Sequence, residues 1–409
     1  MKQLHFDFRD IFRAPRLAFS IQRIWINGTG LLGGYVAYLI ISYIALIIGG
    51  YSFSEIWKQS ALLPCAFIMA VPWYSTILYL LGVIVLGAVI LLTNTAVSRV
   101  IYMTLRDELF YTWTQAFKFA FKKWISSLGS IITFLFIIAF FVIGALVMGL
   151  IGRIPFIGEL GTALLTVPYI FGALLLLFIL IAFMIALFFV PAIIATSDED
   201  ALGGVFQSFS ITFNQPWRIV VYSMFLSVLY IVGVFIFVLA LKAAYSIFIF
   251  LFTIGMGDKI LQIQEQALYI IDQSLPALYS WVQHLPGESG NWIYLTSQHP
   301  FPPQLNGVMT LAGYIMGIFL LFFGGVVVAY GEAIYNAGLT IIYIILYKLQ
   351  EKESLLERED EELKEEEEEE EKTETTEETV PPVETETKTK PKKPGRKPSA
   401  KSKKPRKKE

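Results

Sequence analysis

The sequence predicts an all-α integral membrane protein. Six transmembrane helices are expected, arranged as three repeats of an elbow helix plus a helical hairpin, followed by a disordered, charged C-terminal tail. Three observations predict this. The 409 residues are 55% hydrophobic with a mean hydropathy of +0.60, where soluble domains hold roughly 45–50% apolar residues. Six nearly charge-free apolar runs lie near 29–50, 76–97, 127–150, 162–190, 219–241 and 308–330, each close to the ~20 residues that a crossing needs. Finally, an amphipathic pattern ending in tryptophan precedes an apolar run three times: Leu17-Ile21-Trp25, Phe117-Phe121-Trp124 and Phe209-Phe213-Trp217. Steps of three and four residues put each set on one helical face.

The Trp-to-Trp spacings of 99 and 93 residues point to one unit used three times, over about 8–97, 105–195 and 198–346. Each unit reads as a helix lying at the membrane surface, anchored by Trp25, Trp124 or Trp217, and then two crossings. Inside lipid the backbone must satisfy itself, so the runs are helices despite their many aromatic and β-branched residues. Their length and lack of alternation argue against a barrel.

Taken in order, Met1–Arg23 is arginine-rich and carries no cleavable apolar core. Pro15 is expected to start or kink the first elbow. After the first crossing, residues 51–75 form a loop with Pro64, Pro72, Trp57 and Trp73. The second elbow carries Leu109, Trp113, Phe117, Ala120, Phe121 and Trp124 as a stripe, with Lys118, Lys122 and Lys123 on the polar side and Asp107 and Glu108 near the positive end of its dipole. Residues 153–161 turn tightly at Pro155, Gly158 and Gly161, and Pro168 and Pro191 mark the two ends of the fourth span. Ser197-Asp198-Glu199-Asp200 fits an N-cap and acidic first turn for the third elbow.

Residues 258–306 are long enough for structure of their own. Ile260, Ile263, Leu268, Ile271, Leu275, Leu278 and Trp281 suggest an amphipathic helix, and Pro286, Gly287, Pro300, Pro302 and Pro303 an irregular return. The sixth span runs on from Val308 to Leu346, about 58 Å at 1.5 Å per residue. That exceeds the ~30 Å hydrocarbon core.

Orientation follows from the basic residues. With an inside N-terminus, the inside segments before the sixth span hold eleven Lys/Arg and outside segments four (Lys58, Arg153, Lys242, Lys259). Both termini are therefore expected in the cytoplasm of a cell in which this is an inner-membrane protein. The net charge of −2 hides a divided tail: residues 351–387 hold nineteen Asp/Glu against four Lys/Arg, and residues 388–409 hold twelve Lys/Arg against one Glu. The domains read as 1–350, a six-helix membrane unit, and 351–409, a disordered tail. The basic block invites anionic lipid first and nucleic acid second; no aromatic residues interleave it for base stacking.

Chemistry is sparse. Cys65 is the only cysteine, which excludes an intrachain disulfide framework or thiolate cluster. His5, His284 and His299 share no face, so no metal site and no cofactor is expected. No phosphate loop, nucleophile elbow or H-E-x-x-H motif occurs, and the chain reads as non-enzymatic. The unusual polar residues are Asn94 and Arg99 at the end of the second span and Glu332 and Asn336 near the end of the sixth. An Arg99–Glu332 pair with the two asparagines beside it would make a polar gate, since ionisable groups inside membranes are functional candidates; the alternative is that all four cap helix ends at headgroup depth. Gly313, Gly317, Gly325, Ala329, Ala333 and Ala337 form a small-residue stripe, suited to close packing within the chain or to homo-oligomerisation.

The stretch from Val190-Pro191-Ala192 through Ser208-Phe209 to Trp217 resembles the prokaryotic multi-pass proteins grouped around the glycerophosphoryl diester phosphodiesterase membrane domain. The shared pattern covers about 100–220: a span ending in aliphatic-Pro, an acidic turn, a helix with a Ser-Phe pair, and an aromatic at re-entry. Some members of that family carry a soluble catalytic domain, which is not expected here. The resemblance implies an integral membrane module of unassigned role. The leading functional reading is a non-enzymatic membrane-organising or scaffold module that supports envelope components, with membrane lipids as partners and no protein partner named by the sequence. The alternative is a transporter or permease for an amphipathic or lipid-like substrate, with Tyr38, Ser42, Ser223, Ser227, Tyr230 and Tyr314 lining its cavity.

Overall fold

The computed structural model describes residues 4–67, 69–108, 110–275 and 305–358, and all regular structure among them is helical. A 3-10 turn, Phe8–Arg13, leads into α1 (Ala14–Ala18), α2 (Ile21–Ile48), α3 (Phe53–Gln59), α4 (Trp73–Leu105), α5 (Trp113–Lys122) and α6 (Trp124–Ile151). There follow α7 (Ile157–Leu164), α8 (Thr166–Ser197), α9 (Ala201–Asn214), α10 (Pro216–Met256), α11 (Asp258–Ser274), α12 (Gly307–Glu351) and a 3-10 turn at Leu355–Glu357. Six of these, α2, α4, α6, α8, α10 and α12, are long and apolar enough to cross a bilayer. The chain is a multi-pass membrane protein.

The six pair as hairpins α2/α4, α6/α8 and α10/α12. The second helix of each hairpin is central: α4, α8 and α12 pack on one another, and α2 closes against α12. Burial concentrates toward their C-terminal ends, in Ala96–Met103 of α4, Phe189–Ser197 of α8 and Ala329–Leu346 of α12 (Glu332 and Tyr335 excepted). We call this the proximal end; Lys348 of α12 lies over the Phe6 ring, 3.3 Å from its centroid, so the N-terminal segment and the end of α12 share it. At the distal end the hairpins stand more alone. Phe136, Phe140, Leu146, Phe171 and Leu174 of the second hairpin and Ile247, Phe250 and Ile254 of the third are exposed, as lipid-facing residues should be.

The elbows exist, but they dock differently from the expected ramps. Each lies on the hairpin before it: α5 on α4, and α9 on both α6 and α8. The first elbow, the 3-10 turn with α1, lies on α12 and α10, the last hairpin, and so closes a ring. Gly204, Val205, Ser208, Ile211 and Thr212 of α9 are buried. The tryptophans also shift. Trp124 opens α6, Trp217 is the second residue of α10, and Trp25 lies one turn inside α2; they start the crossings and do not end the elbows. Pro15 sits in the first turn of α1, where its missing N–H costs nothing.

Three further boundaries are corrected. Pro191 does not end the fourth span; α8 runs through it to Ser197. A proline removes one helical bond, and the turn that follows is held by Thr196 Oγ1 donating to Ala192 O and Ser197 Oγ to Ile193 O. The third elbow is capped by Asp200, whose carboxylate accepts from Gly203 N at 2.7 Å, because Ser197 is still helical and Asp198 turns left-handed at φ 55°. The second span extends to Leu105, well past 97. Asp107 (φ 68°) and Lys352 (φ 60°) stand in the same left-handed conformation just beyond α4 and α12, so all three second helices stop by the same device.

The loop 51–75 contains α3, held by a capping box between Ser52 and Glu55. Tyr38, Ala45, Leu46, Ile56, Ala66, Met69 and Tyr79 make a distal core there. The amphipathic helix expected after 258 is present as α11, with Ile260, Ala267 and Leu268 buried, and it packs along α12. Leu278, Trp281, Pro286, Gly287, Pro300, Pro302 and Pro303 lie outside the described residues, as do Leu109 and the charged tail from 359 on.

Candidate functional site

Three of the four polar residues singled out in the sequence, Asn94, Arg99 and Asn336, make their contacts where α4, α8 and α12 meet. Most hydroxyls there turn inward on their own helices. Thr95 donates to Leu91 O, Thr340 to Asn336 O and Thr196 to Ala192 O, each four residues back. Such back-bonding lets a hydroxyl sit in an apolar interface without an orphaned donor. Thr95 also reaches Ser127 Oγ of α6 at 3.2 Å.

Between α4 and α12 the contact is direct: Asn336 Nδ2 donates to Asn94 Oδ1 at 2.9 Å. Asn27 of α2 adds a second tie, donating to Ala329 O at 3.3 Å.

Arg99 is fully buried, with 0% exposure, yet it does not go to Glu332. Its guanidinium donates to Ala195 O at 3.0 Å and lies 4.2 Å from the Phe119 ring centroid of α5. The reason lies in α8. The last four carbonyls of any helix lack intrahelical donors and carry the negative end of its dipole. Ala195 is one of these, three residues before the C-cap Asp198. One side chain of α4 therefore joins the end of α8 to the second elbow.

Glu332 sits elsewhere on α12. It is half-buried, acts electrostatically on Tyr335 one turn on, and makes no hydrogen bond or ion pair among the described residues. The expected four-residue gate thus divides into an Asn94–Asn336 tie, an Arg99 staple and a separate carboxylate.

The end of each second helix is also tied to the start of its own hairpin. Arg23 of α2 reaches Thr104 Oγ1 of α4 at 2.7 Å and also bonds Leu17 O, while Gln22 donates to Tyr111 O. Lys123, just before α6, pairs with Asp198 at 2.7 Å and donates to the Asp198 carbonyl. Gln215, just before α10, donates to Leu346 O of α12 at 2.9 Å.

The small-residue stripe of α12 serves two partners. A Cβ at Gly313 would overlap Gln266 of α11, and one at Gly317 would approach Ala267 O. Lower down, Ala329 meets Gly28 of α2, and Ala333 and Ala337 are buried. Gly325 has open space around it. The sequence reading missed Gly331 and Gly338, which let Tyr230 and Leu226 of α10 lie directly on α12. Their spacing of seven is a helical signal that could have found them.

Trp25, Trp124 and Trp217 are half or more exposed. Of the residues expected to line a transport cavity, Tyr38 and Ser42 are in the distal core of the first hairpin, Tyr230 packs on Gly331, and Ser227 and Tyr314 are exposed. A shallow depression of about 630 Å³ lies instead between α8 and α9, lined by Phe178, Phe206, Gln207, Phe209, Ser210, Phe213 and Asn214. His5 is exposed, His284 and His299 lie outside the described residues, and no cluster of metal-ligating side chains occurs among the described residues.

No family model matches the chain, and no curated protein and no solved structure is significantly similar to it.

Proposed function

We propose that this chain is a non-enzymatic scaffold of a prokaryotic cytoplasmic membrane, with both termini in the cytoplasm, that holds envelope components near the bilayer. The observation that carries this reading is the proximal ring. Three helix ends are pinned to neighbouring elements by Arg99, Asn336, Lys123 and Gln215, which suits a rigid platform better than a moving gate. The chain past this platform is acidic and then strongly basic, a composition that suits anionic lipid or another polyanion close to the membrane. Twelve basic residues ahead of the tail on the proximal side, Lys348 included, against four on the other support the orientation. The pattern shared over about 100–220 with integral membrane modules of unassigned role is in keeping with this reading.

The test is proximity labelling from the C-terminus in the native membrane, comparing the full chain with one truncated after residue 358. The scaffold reading expects a reproducible set of protein or lipid neighbours that the truncation loses, with membrane insertion unchanged. An identical neighbour set for both chains contradicts it. Transport of an amphipathic substrate, the competing function, would instead show as flux across liposomes holding the purified chain.

A further inference from the structure

Glu332 is a carboxylate of the proximal half that takes no part in the ties described above. A half-buried carboxylate in an apolar helix is costly without a counter-charge, and none stands beside it among the described residues. What does stand beside it is aromatic. Tyr335, three residues on and on the same face, meets Phe188 of α8 at 5.9 Å and 78° and Tyr230 of α10 at 6.4 Å and 81° between ring centroids. Tyr230 is brought in by Gly331, the residue before Glu332; a Cβ there would come 3.0 Å from Tyr230 Cε2 and 3.2 Å from its hydroxyl oxygen. Three helices thus bring three rings together at Tyr335, one turn from the carboxylate. The cluster is open to the side: Phe188 is 47% and Tyr230 38% exposed, on surfaces whose neighbours Met184 and Val328 also face outward.

A carboxylate bordered by aromatic rings is the chemistry that recognises an ammonium group. The charge supplies the Coulomb attraction, and the ring quadrupoles hold N–H or N–CH₃ groups without competing water. A headgroup without an ammonium gains neither. We propose that Glu332, Tyr335, Phe188 and Tyr230 form a lateral binding site for the ammonium headgroup of a membrane phospholipid. The site stands whether or not the protein is a scaffold, since it depends on these four side chains alone.

Native mass spectrometry of the purified full chain tests it, with phosphatidylethanolamine, phosphatidylglycerol and the soluble amphiphile dodecyltrimethylammonium offered separately. The wild-type chain should retain phosphatidylethanolamine over phosphatidylglycerol. Glu332→Gln should cut that retention roughly tenfold and leave phosphatidylglycerol unchanged. Phe188→Ala, at a half-exposed position outside the ring, should cut it severalfold and provides the reading if Glu332→Gln fails to fold. Equal retention of the two lipids, or phosphatidylethanolamine retained alike by wild type and both variants, overturns the proposal. Retention of dodecyltrimethylammonium alone would reassign the site to a free cationic amphiphile and overturn the lipid assignment.

Discussion

The proximal and distal halves of this molecule are made of the same apolar residues but solve different problems. Proximally, three helix ends and three elbows meet, and side chains cross between hairpins: Arg99 to Ala195, Asn336 to Asn94, Asn27 to Ala329. Distally, contacts stay mostly within a hairpin and its own cap. Tyr43 bonds Ala61 O and Ser75 bonds Ala45 O, all within the first hairpin, while Phe140, Phe171 and Phe250 face outward. Lipid tails are as apolar as leucine, so hydrophobicity gives the distal helices no reason to associate. Polar side chains aimed at helix ends and small residues at crossings do, and these are concentrated proximally. The contrast teaches that in this chain hydropathy sets where helices exist, while a few polar and glycine positions set how they assemble.

Substitutions should separate the halves. The largest effect is expected at Arg99. Arg99→Met would leave the Ala195 carbonyl without its donor and remove the cation over Phe119, at a cost of about 3 kcal/mol, read as a lowered unfolding midpoint in detergent. Next, Gly338→Val would drive a side chain into Leu226 and cost about 2 kcal/mol by overpacking. Gly324→Ala, where nothing lies within 4 Å, should be neutral; equal effects at the two glycines would erase the distinction. Asn336→Ala removes the bond to Asn94 and should cost about 1 kcal/mol, within the range for interhelical hydrogen bonds in membranes.

The smallest effect is expected at the distal cap. The Ser52 backbone N–H and hydroxyl hold the exposed Glu55 carboxyl below its ordinary range. A carboxyl lowered in the folded state stabilises above its unfolded pKa, and that contribution is lost as pH falls through the folded value. Hydrogen exchange in Phe53–Gln59, expressed relative to the intrinsic amide rate at each pH, should therefore accelerate on acidification below about pH 4.5, the ordinary value for this carboxyl. Exchange in the proximal core should not follow; if both accelerate together, the halves are not independent.

The fold was largely legible because charge-free runs and the Trp-ended triads are local signals. Their limits were less so. Residues 98–105 continue α4 although they hold Ser98, Arg99 and Thr104, since α8 and α5 take the Arg99 guanidinium and α4's own backbone and Arg23 of α2 take the Thr104 hydroxyl, and none of these partners is marked in the local sequence. Arg99 was noticed for its charge but matched to the nearest opposite charge in kind, Glu332. Its partner is a backbone carbonyl, which every residue possesses and no sequence pattern reveals. The stripe on α12 was legible as a packing face, but that Gly313 and Gly317 serve α11 while Ala329 serves α2 depends on where other helices fall. The docking of each elbow on the previous hairpin, and of the first on the last, is a relation between distant segments.

Closure of that ring is tested most directly by one disulfide. Cβ atoms at residues 28 and 329 would stand 3.8 Å apart, within the ~3.5–4.5 Å that a disulfide requires. In a chain with Cys65→Ser, the pair Gly28→Cys and Ala329→Cys should crosslink under mild oxidation in native membranes. The product would be a gel-mobility shift that reducing agent reverses. Full oxidation of each cysteine by a small thiol reagent, with no such shift at any oxidant concentration, would mean that the first and third hairpins do not meet.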